Sequence, residues 1–224
     1  MTSREKINRI YELLTAAYGP QRWWPAETPF EVMVGAVLTQ NTNWKNVEKA
    51  IANLKSRGLL SPAALGRVPP GELAELIRPA GYYNVKAKRL GNLLRFVMDE
   101  FDGDLGAMGR LSTGDLRERL LAVSGVGRET CDSILLYALE KPTFVVDAYT
   151  ARVLLRHGLI DESADYDEIK ETFESALPQD ARLFNEFHAL LVQAGKRHCK
   201  PRPVCEDCPL DALFENPSQR PQVE

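Results

Sequence analysis

Gly125-Val126-Gly127, followed twenty residues on by Asp147, is the part of this chain best suited to chemistry. Two glycines around one apolar residue let the backbone turn tightly and come close to a ligand. The N–H groups that open the next helix point outward and bind an anion. Such a hairpin holds a nucleic-acid phosphate without reading sequence, and a carboxylate shortly after it is placed to act on the bound nucleotide. Two plainer readings stand beside this one. The glycines make an ordinary packing turn between helices, and Asp147 caps AYTARVLLRHG, a helix ending at Gly158.

Cys199, Cys205 and Cys208 form a second candidate. Their C-x5-C-x2-C spacing falls among Pro201, Pro203 and Pro209 near the C-terminus. A tight loop rich in proline and thiols usually holds a metal or an iron–sulfur cluster. Three soft ligands are one short of a closed site. The alternative is a decayed loop held by proline and apolar packing. Cys131, alone in the helix after the hairpin, reads as a small core residue.

The elements that position these residues read almost entirely as helix. Thr28-Pro29-Phe30-Glu31 is a capping box with proline at the first helical position. Thr42 is placed to cap WKNVEKAIANLKSRG. Ser61-Pro62 and Pro69-Pro70 open short helices, and Ser112 starts the helix before the hairpin. Asp165 is placed to cap YDEIKETFESAL, and a long run from Asp180 to about His198 leads into the cysteine loop. Thr143 to Val146 is β-branched but too short to count as a strand. An all-α chain of about ten helices is expected.

Composition narrows the partners. The formal net charge is −3, from 28 Lys and Arg against 31 Asp and Glu, and 44% of residues are hydrophobic. Binding answers to local field rather than to the sum. Two clusters are basic: Lys86, Lys88, Arg89 and Arg95; and Lys196, Arg197, Lys200 and Arg202. Either one alone reads as an ordinary solvated face. No apolar run is long enough to span a bilayer, and MTSREKINRIYELL has no signal-peptide core. A cytoplasmic, nucleoid-associated monomer is expected.

Taken together, the glycine hairpin, Val145-Val146-Asp147, the cysteine loop, LTQNT (Leu38 to Thr42) and GYYNVKAKRL (Gly81 to Leu90) resemble the endonuclease III superfamily. These are helix–hairpin–helix DNA glycosylases, and the resemblance covers residues 5–210. It implies two helical lobes. Residues 28–141 make a six-helix barrel with the hairpin. Residues 1–27 and 142–224 make a second lobe with the cysteine loop. The partner would be double-stranded DNA with a damaged base, which enters between the lobes. Asp147 would be the catalytic carboxylate, and Cys199, Cys205 and Cys208 would hold a [4Fe–4S] cluster. Gln40, Asn41, Tyr82, Tyr83, Asn84, Lys86, Gly125, Val126, Gly127, Arg128 and Thr130 would meet DNA. Gln40 is the first candidate to fill the hole left by a flipped base, with Tyr82 or Tyr83 the second.

Departures from the family pattern refine the expectation. Bifunctional members carry a lysine two positions beyond the second glycine, where this chain has Glu129. A carboxylate forms no Schiff base with the sugar, so the usual lyase nucleophile is absent. The pattern of Trp23-Trp24-Pro25, Trp44 after LTQNTN and Glu129 is most similar to the 3-methyladenine DNA glycosylase III subfamily. That implies a base pocket of Trp23, Trp24, Pro25, Trp44 and Glu129, and removal of alkylated purines without strand cleavage. Mismatched or oxidised pyrimidines are the alternative substrates, and a non-catalytic DNA-binding module is the alternative class. In the cysteine loop the family has six residues in the first gap. Here it has five, and the fourth cysteine's place falls on Phe214.

Overall fold

A computed structural model describes residues 1–221 apart from residues 22, 215, 217 and 219. Among the described residues there are twelve α-helices and no strand. They are α1 (Ser3–Tyr18), α2 (Pro29–Leu38), α3 (Trp44–Ser56), α4 (Pro62–Leu65), α5 (Pro70–Leu76), α6 (Tyr83–Phe101), α7 (Leu105–Gly109), α8 (Thr113–Leu121), α9 (Arg128–Ser133), α10 (Ala148–Arg156), α11 (Tyr166–Glu174) and α12 (Ala181–Arg197). The excess over ten comes from single-turn helices such as α4 and α7. Among the described residues, no helix is long and apolar enough to cross a membrane.

The chain divides into two compact units: Trp24–Lys141, and Met1–Trp23 with Pro142–Glu224. The continuous unit is built around α2, whose residues from Phe30 to Leu38 are all buried. A helix apolar on every side belongs in a core. The Thr28 side chain accepts from Glu31 N at its start. The reciprocal half of the expected capping box is missing, because Glu31 turns instead to Glu27 N and to Lys55. The next cap is shifted by one residue. Thr42 N closes a turn on Thr39 O, and Asn43 Oδ1 accepts from Asn46 N to begin α3. After α9 the helix widens into a π turn, Ile134–Ala138, all of it buried. An inserted residue of this kind redirects the side chains that follow.

In the split unit, α1 opens with a complete capping box between Thr2 and Glu5 and buries Ile7, Ile10 and Leu14 along one stripe. Phe144, Phe173, Phe184 and Phe187 form its aromatic core, with Phe144 and Phe173 stacked at 3.8 Å. Residues 142–147 form neither helix nor strand. Glu174 accepts from Phe144 N at 2.7 Å and the Tyr166 hydroxyl accepts from Val146 N at 3.3 Å. Side chains thus satisfy the backbone groups that a sheet would otherwise take. The segment delivers the chain to Asp147 and α10. Helices α10 and α12 pack closely because Gly195 has no side chain. A Cβ there would stand 2.3 Å from Tyr149 Cδ1.

Candidate active site

The hairpin between α8 and α9 is held from two sides. Gly125 has φ of +98°, a conformation that favours glycine. The Arg89 side chain of α6 lies across it, and its guanidinium donates to Gln40 Oε1. Gln40 Nε2 donates in turn to Thr130 Oγ1 at 2.9 Å and Gly125 O at 3.2 Å. Asn92, one turn along α6, donates to Ser124 O at 2.8 Å. Arg117 of α8 and the buried Asp132 of α9 close the pair of helices with two hydrogen bonds. Val126 is buried, while Gly127, Arg128 and Glu129 are exposed at the start of α9 and Thr130 is buried behind them. A Cβ at Gly127 would meet nothing, and its φ is −90°. The chain itself therefore gives no reason for a glycine there.

The two flanking loops carry strained residues. Asn41 and Tyr82 both have positive φ, 51° and 46°. Non-glycine residues held there cluster at functional sites. Tyr82 is 72% exposed. Tyr83 begins α6 under Arg78, 5.0 Å from its ring, and Asn84 is exposed beside it. Lys86 corrects the expectation of a basic DNA contact. It is 1% exposed, and its ammonium points inward to Leu38 O and Ala80 O at 2.8 and 2.7 Å. One cation thus ties the end of α2, which leads to Gln40 and Asn41, to the turn that leads to Tyr82.

Burial, and then the charge of Arg89, bring the Lys86 pKa down to about 8 from its ordinary 10.5. Below pH 8 the folded and unfolded chains both carry this proton. Between pH 8 and 10.5 the unfolded chain keeps it and the folded one has released it, so stability rises with pH through that window. The gain is about 3 kcal/mol at most, and the neutral amine still donates to both carbonyls. Denaturant melts at pH 7.5 and 10 should show it as a difference between wild type and Lys86→Met. Parallel curves for the two proteins would refute it.

Trp24, Pro25, Gly35, Trp44, Glu48 and Ile51 line a pocket of about 220 Å3 in the continuous unit. Trp24 and Trp44 meet edge to face at 5.1 Å. Trp24 also lies on Gly35 and on Tyr137, which the π turn presents at 5.1 Å. Trp44 Nε1 donates to Glu48 Oε1 at 2.9 Å. Trp23 and Glu129 do not line this pocket. Trp23 belongs to the split unit, with the Lys196 ammonium 5.6 Å from its ring.

Asp147 is the N-cap of α10. Its Oδ1 accepts from Thr150 N at 2.8 Å and from Thr150 Oγ1 at 3.0 Å. The cap occupies one carboxylate oxygen. The other, Oδ2, lies 3.7 Å from His188 Nε2 on α12, beyond hydrogen-bonding distance. Burial holds His188 below its ordinary value, against the pull of Asp147. The imidazole and the carboxylate face each other without a hydrogen bond between them.

A family model described as HhH-GPD superfamily base excision DNA repair protein matches residues 34–179. The chain belongs to this superfamily. It is 52% identical over 208 residues to a Methanocaldococcus jannaschii protein provisionally named a DNA repair glycosylase, covering 92% of this chain and 94% of that one. It is 32% identical to Thermotoga maritima endonuclease III over 80% of this chain and 79% of that one. Among solved structures, the Helicobacter pylori 3-methyladenine DNA glycosylase bound to 1,N6-ethenoadenine aligns with a TM-score of 0.73. The identity is 31%, over 88% of this chain and 98% of that one. The chain is a DNA glycosylase of base excision repair.

In this HhH-GPD glycosylase the cysteine loop is fastened to α10. Arg152 donates to Cys199 O at 2.6 Å. Arg156 donates to Lys200 O, Pro201 O and Cys199 Sγ at 2.6, 2.7 and 3.2 Å. Cys199, Cys205 and Cys208 line one cavity together with His157, His198 and Phe214. Burial pushes the Cys205 and Cys208 thiols up. Several partners of the candidate residues escape a reading of the sequence. Arg89 counts there only as part of a basic cluster, and Asn92, Tyr137 and His188 carry no signal. Glu48 is the exception, since its i, i+4 spacing from Trp44 is visible.

Proposed function

We propose that this glycosylase removes alkylated purines of the 3-methyladenine type from double-stranded DNA by hydrolysing the N-glycosidic bond, and leaves the strand uncut. The pocket in which Trp24, Pro25 and Trp44 converge carries this reading. N-alkylation makes a purine cationic and already a good leaving group. An indole face attracts a cation by roughly 0.5–2 kcal/mol, so stacking selects the damaged base and strong acid catalysis is unnecessary. Glu48 fixes the Trp44 indole and adds a carboxylate at the pocket wall. The sugar develops oxocarbenium character as the base departs. Asp147 Oδ2 stabilises that charge or orients the attacking water. Glu129, at the lyase position, offers no amine.

The hairpin supplies the grip. Gly127 has room for a side chain within the protein, so its absence is explained by a phosphate approaching the backbone. Extruding the base costs a few kcal/mol, and something must take its place in the stack. Gln40 is committed to three hydrogen-bond partners. The exposed Tyr82 is therefore the stronger candidate for the wedge. A second reading, excision of damaged or mismatched pyrimidines, is favoured by the 32% identity to an endonuclease III.

Duplexes with 3-methyladenine, 1,N6-ethenoadenine, an oxidised pyrimidine or a G·T mismatch separate these readings, with base release scored before and after alkali. The expected result is release of the alkylated base, strand breaks only after alkali and no borohydride-trapped adduct. Preferential release of a pyrimidine, or abundant trapping, overturns the reading. Glu48→Gln keeps an acceptor for the indole N–H and removes the charge. Release of the cationic 3-methyladenine should fall roughly two- to fivefold, a modest effect because exposed charges are screened. Release of neutral 1,N6-ethenoadenine should hold. Equal losses on both would leave Glu48 as scaffolding alone.

A further inference from the structure

We propose that His157 supplies a nitrogen ligand that completes the iron–sulfur site begun by Cys199, Cys205 and Cys208. Soft thiolates around one cavity fit an iron–sulfur cluster, and the three cysteines share theirs with His157. Among the described residues, no three His, Cys, Asp or Glu side chains stand close enough together to hold a single metal ion. A four-iron cluster has a different requirement, because each ligand binds its own iron at a separate corner. The missing fourth thiol is marked by Phe214, whose ring stacks on His157 at 4.7 Å. The imidazole therefore lies against the side chain that stands in the fourth cysteine's place.

His157 is 9% exposed, and its Nδ1 is buried with no hydrogen-bond partner. A buried nitrogen left without a partner is costly, and ligation would satisfy it. Imidazole replaces thiolate in known iron–sulfur centres, where it raises the reduction potential. The residue sits at the end of α10, next to Arg156, which fastens the loop. Its backbone is fixed as well, because Lys6 Nζ donates to His157 O at 2.7 Å. His198 Nδ1 is also buried and unpartnered. That residue directly precedes Cys199 and shares its short loop, whereas His157 approaches from a separate helix. When bound, the cluster would order the loop beside Lys196, Arg197 and Lys200.

The test is anaerobic reconstitution of the full chain with iron and sulfide, using histidine labelled with 15N. Wild type should take up four irons per chain, and pulsed EPR of the reduced cluster should show coupling to nitrogen. His157→Cys should keep the iron, lose the coupling and have a lower reduction potential. His198→Ala should keep the coupling. The proposal is overturned by a wild-type protein that takes up no cluster, or by a cluster with no nitrogen coupling. It is overturned equally by coupling that survives in His157→Cys or disappears in His198→Ala. Should His157→Cys fail to fold, wild type and His198→Ala still decide, since the chain has only three histidines and His188 does not line the cavity.

Discussion

Asp147→Asn is expected to lower base release by about 10^2- to 10^4-fold, the range for loss of a positioned catalytic carboxylate. Affinity for lesion-containing duplex should stay within about threefold, because phosphate contacts dominate binding. The variant is a clean probe because asparagine is as good an N-cap as aspartate. Its Oδ1 can still accept from Thr150 N and Oγ1, as Asp147 does at 2.8 and 3.0 Å. The start of α10 is preserved and only the charge disappears. Asp147→Ala removes the cap too, at about 1 kcal/mol, so the asparagine variant isolates the chemistry. Base release is measured in single turnovers, with unfolding followed in parallel. Near-wild-type release with an intact fold would show that Asp147 serves α10 and nothing else.

The second large effect concerns the two hairpin glycines, which should behave oppositely. Gly125→Ala forces a side chain into φ of +98° and puts its Cβ 2.3 Å from Arg89 Cγ. Arg89 must move, and with it the link through Gln40 to Thr130. A loss of about 2–4 kcal/mol is expected from strain and overpacking together. Gly127→Ala meets no atom and adopts an ordinary φ of −90°. Its stability should change by no more than about 0.5 kcal/mol. If a phosphate approaches that backbone, Gly127→Ala should still bind every duplex at least about tenfold more weakly, whatever the sequence. Melts and salt-dependent titrations check both. Unchanged affinity in Gly127→Ala would remove the hairpin from the DNA contact.

Much of the local structure was legible in the residues. Ser61, Ser112 and Asp165 cap helices as their side chains dictate, and the buried Cys131 needs no special account. The errors are local competitions: Asn43 displaces Thr42 as a cap, and Lys55 draws Glu31 from its box. What a linear reading misses is the use of charged groups inside the fold. Lys86 and Arg89 look like solvated cations because the pattern of α6 records only its apolar stripe. One turns inward to two carbonyls, and the other spans from α6 to Gln40. Tyr137 is hidden for another reason. A π turn breaks the helical period, and the ring it aims at Trp24 falls out of phase.

Gly195 has a consequence for how this chain can change over time. Tyr149 occupies the space where any other residue at 195 would begin, and Asp147 lies two positions before that tyrosine. The crossing of α10 and α12 is therefore set by a missing methyl group. A substitution at 195 pushes on the tyrosine, tilts the start of α10 and displaces the carboxylate without touching DNA. Descent should consequently couple the two sites. Lineages that keep an aromatic at 149 have no freedom at 195, and those that lose it gain some. A variant there would look harmless on a map of the reaction and still fall silent in repair.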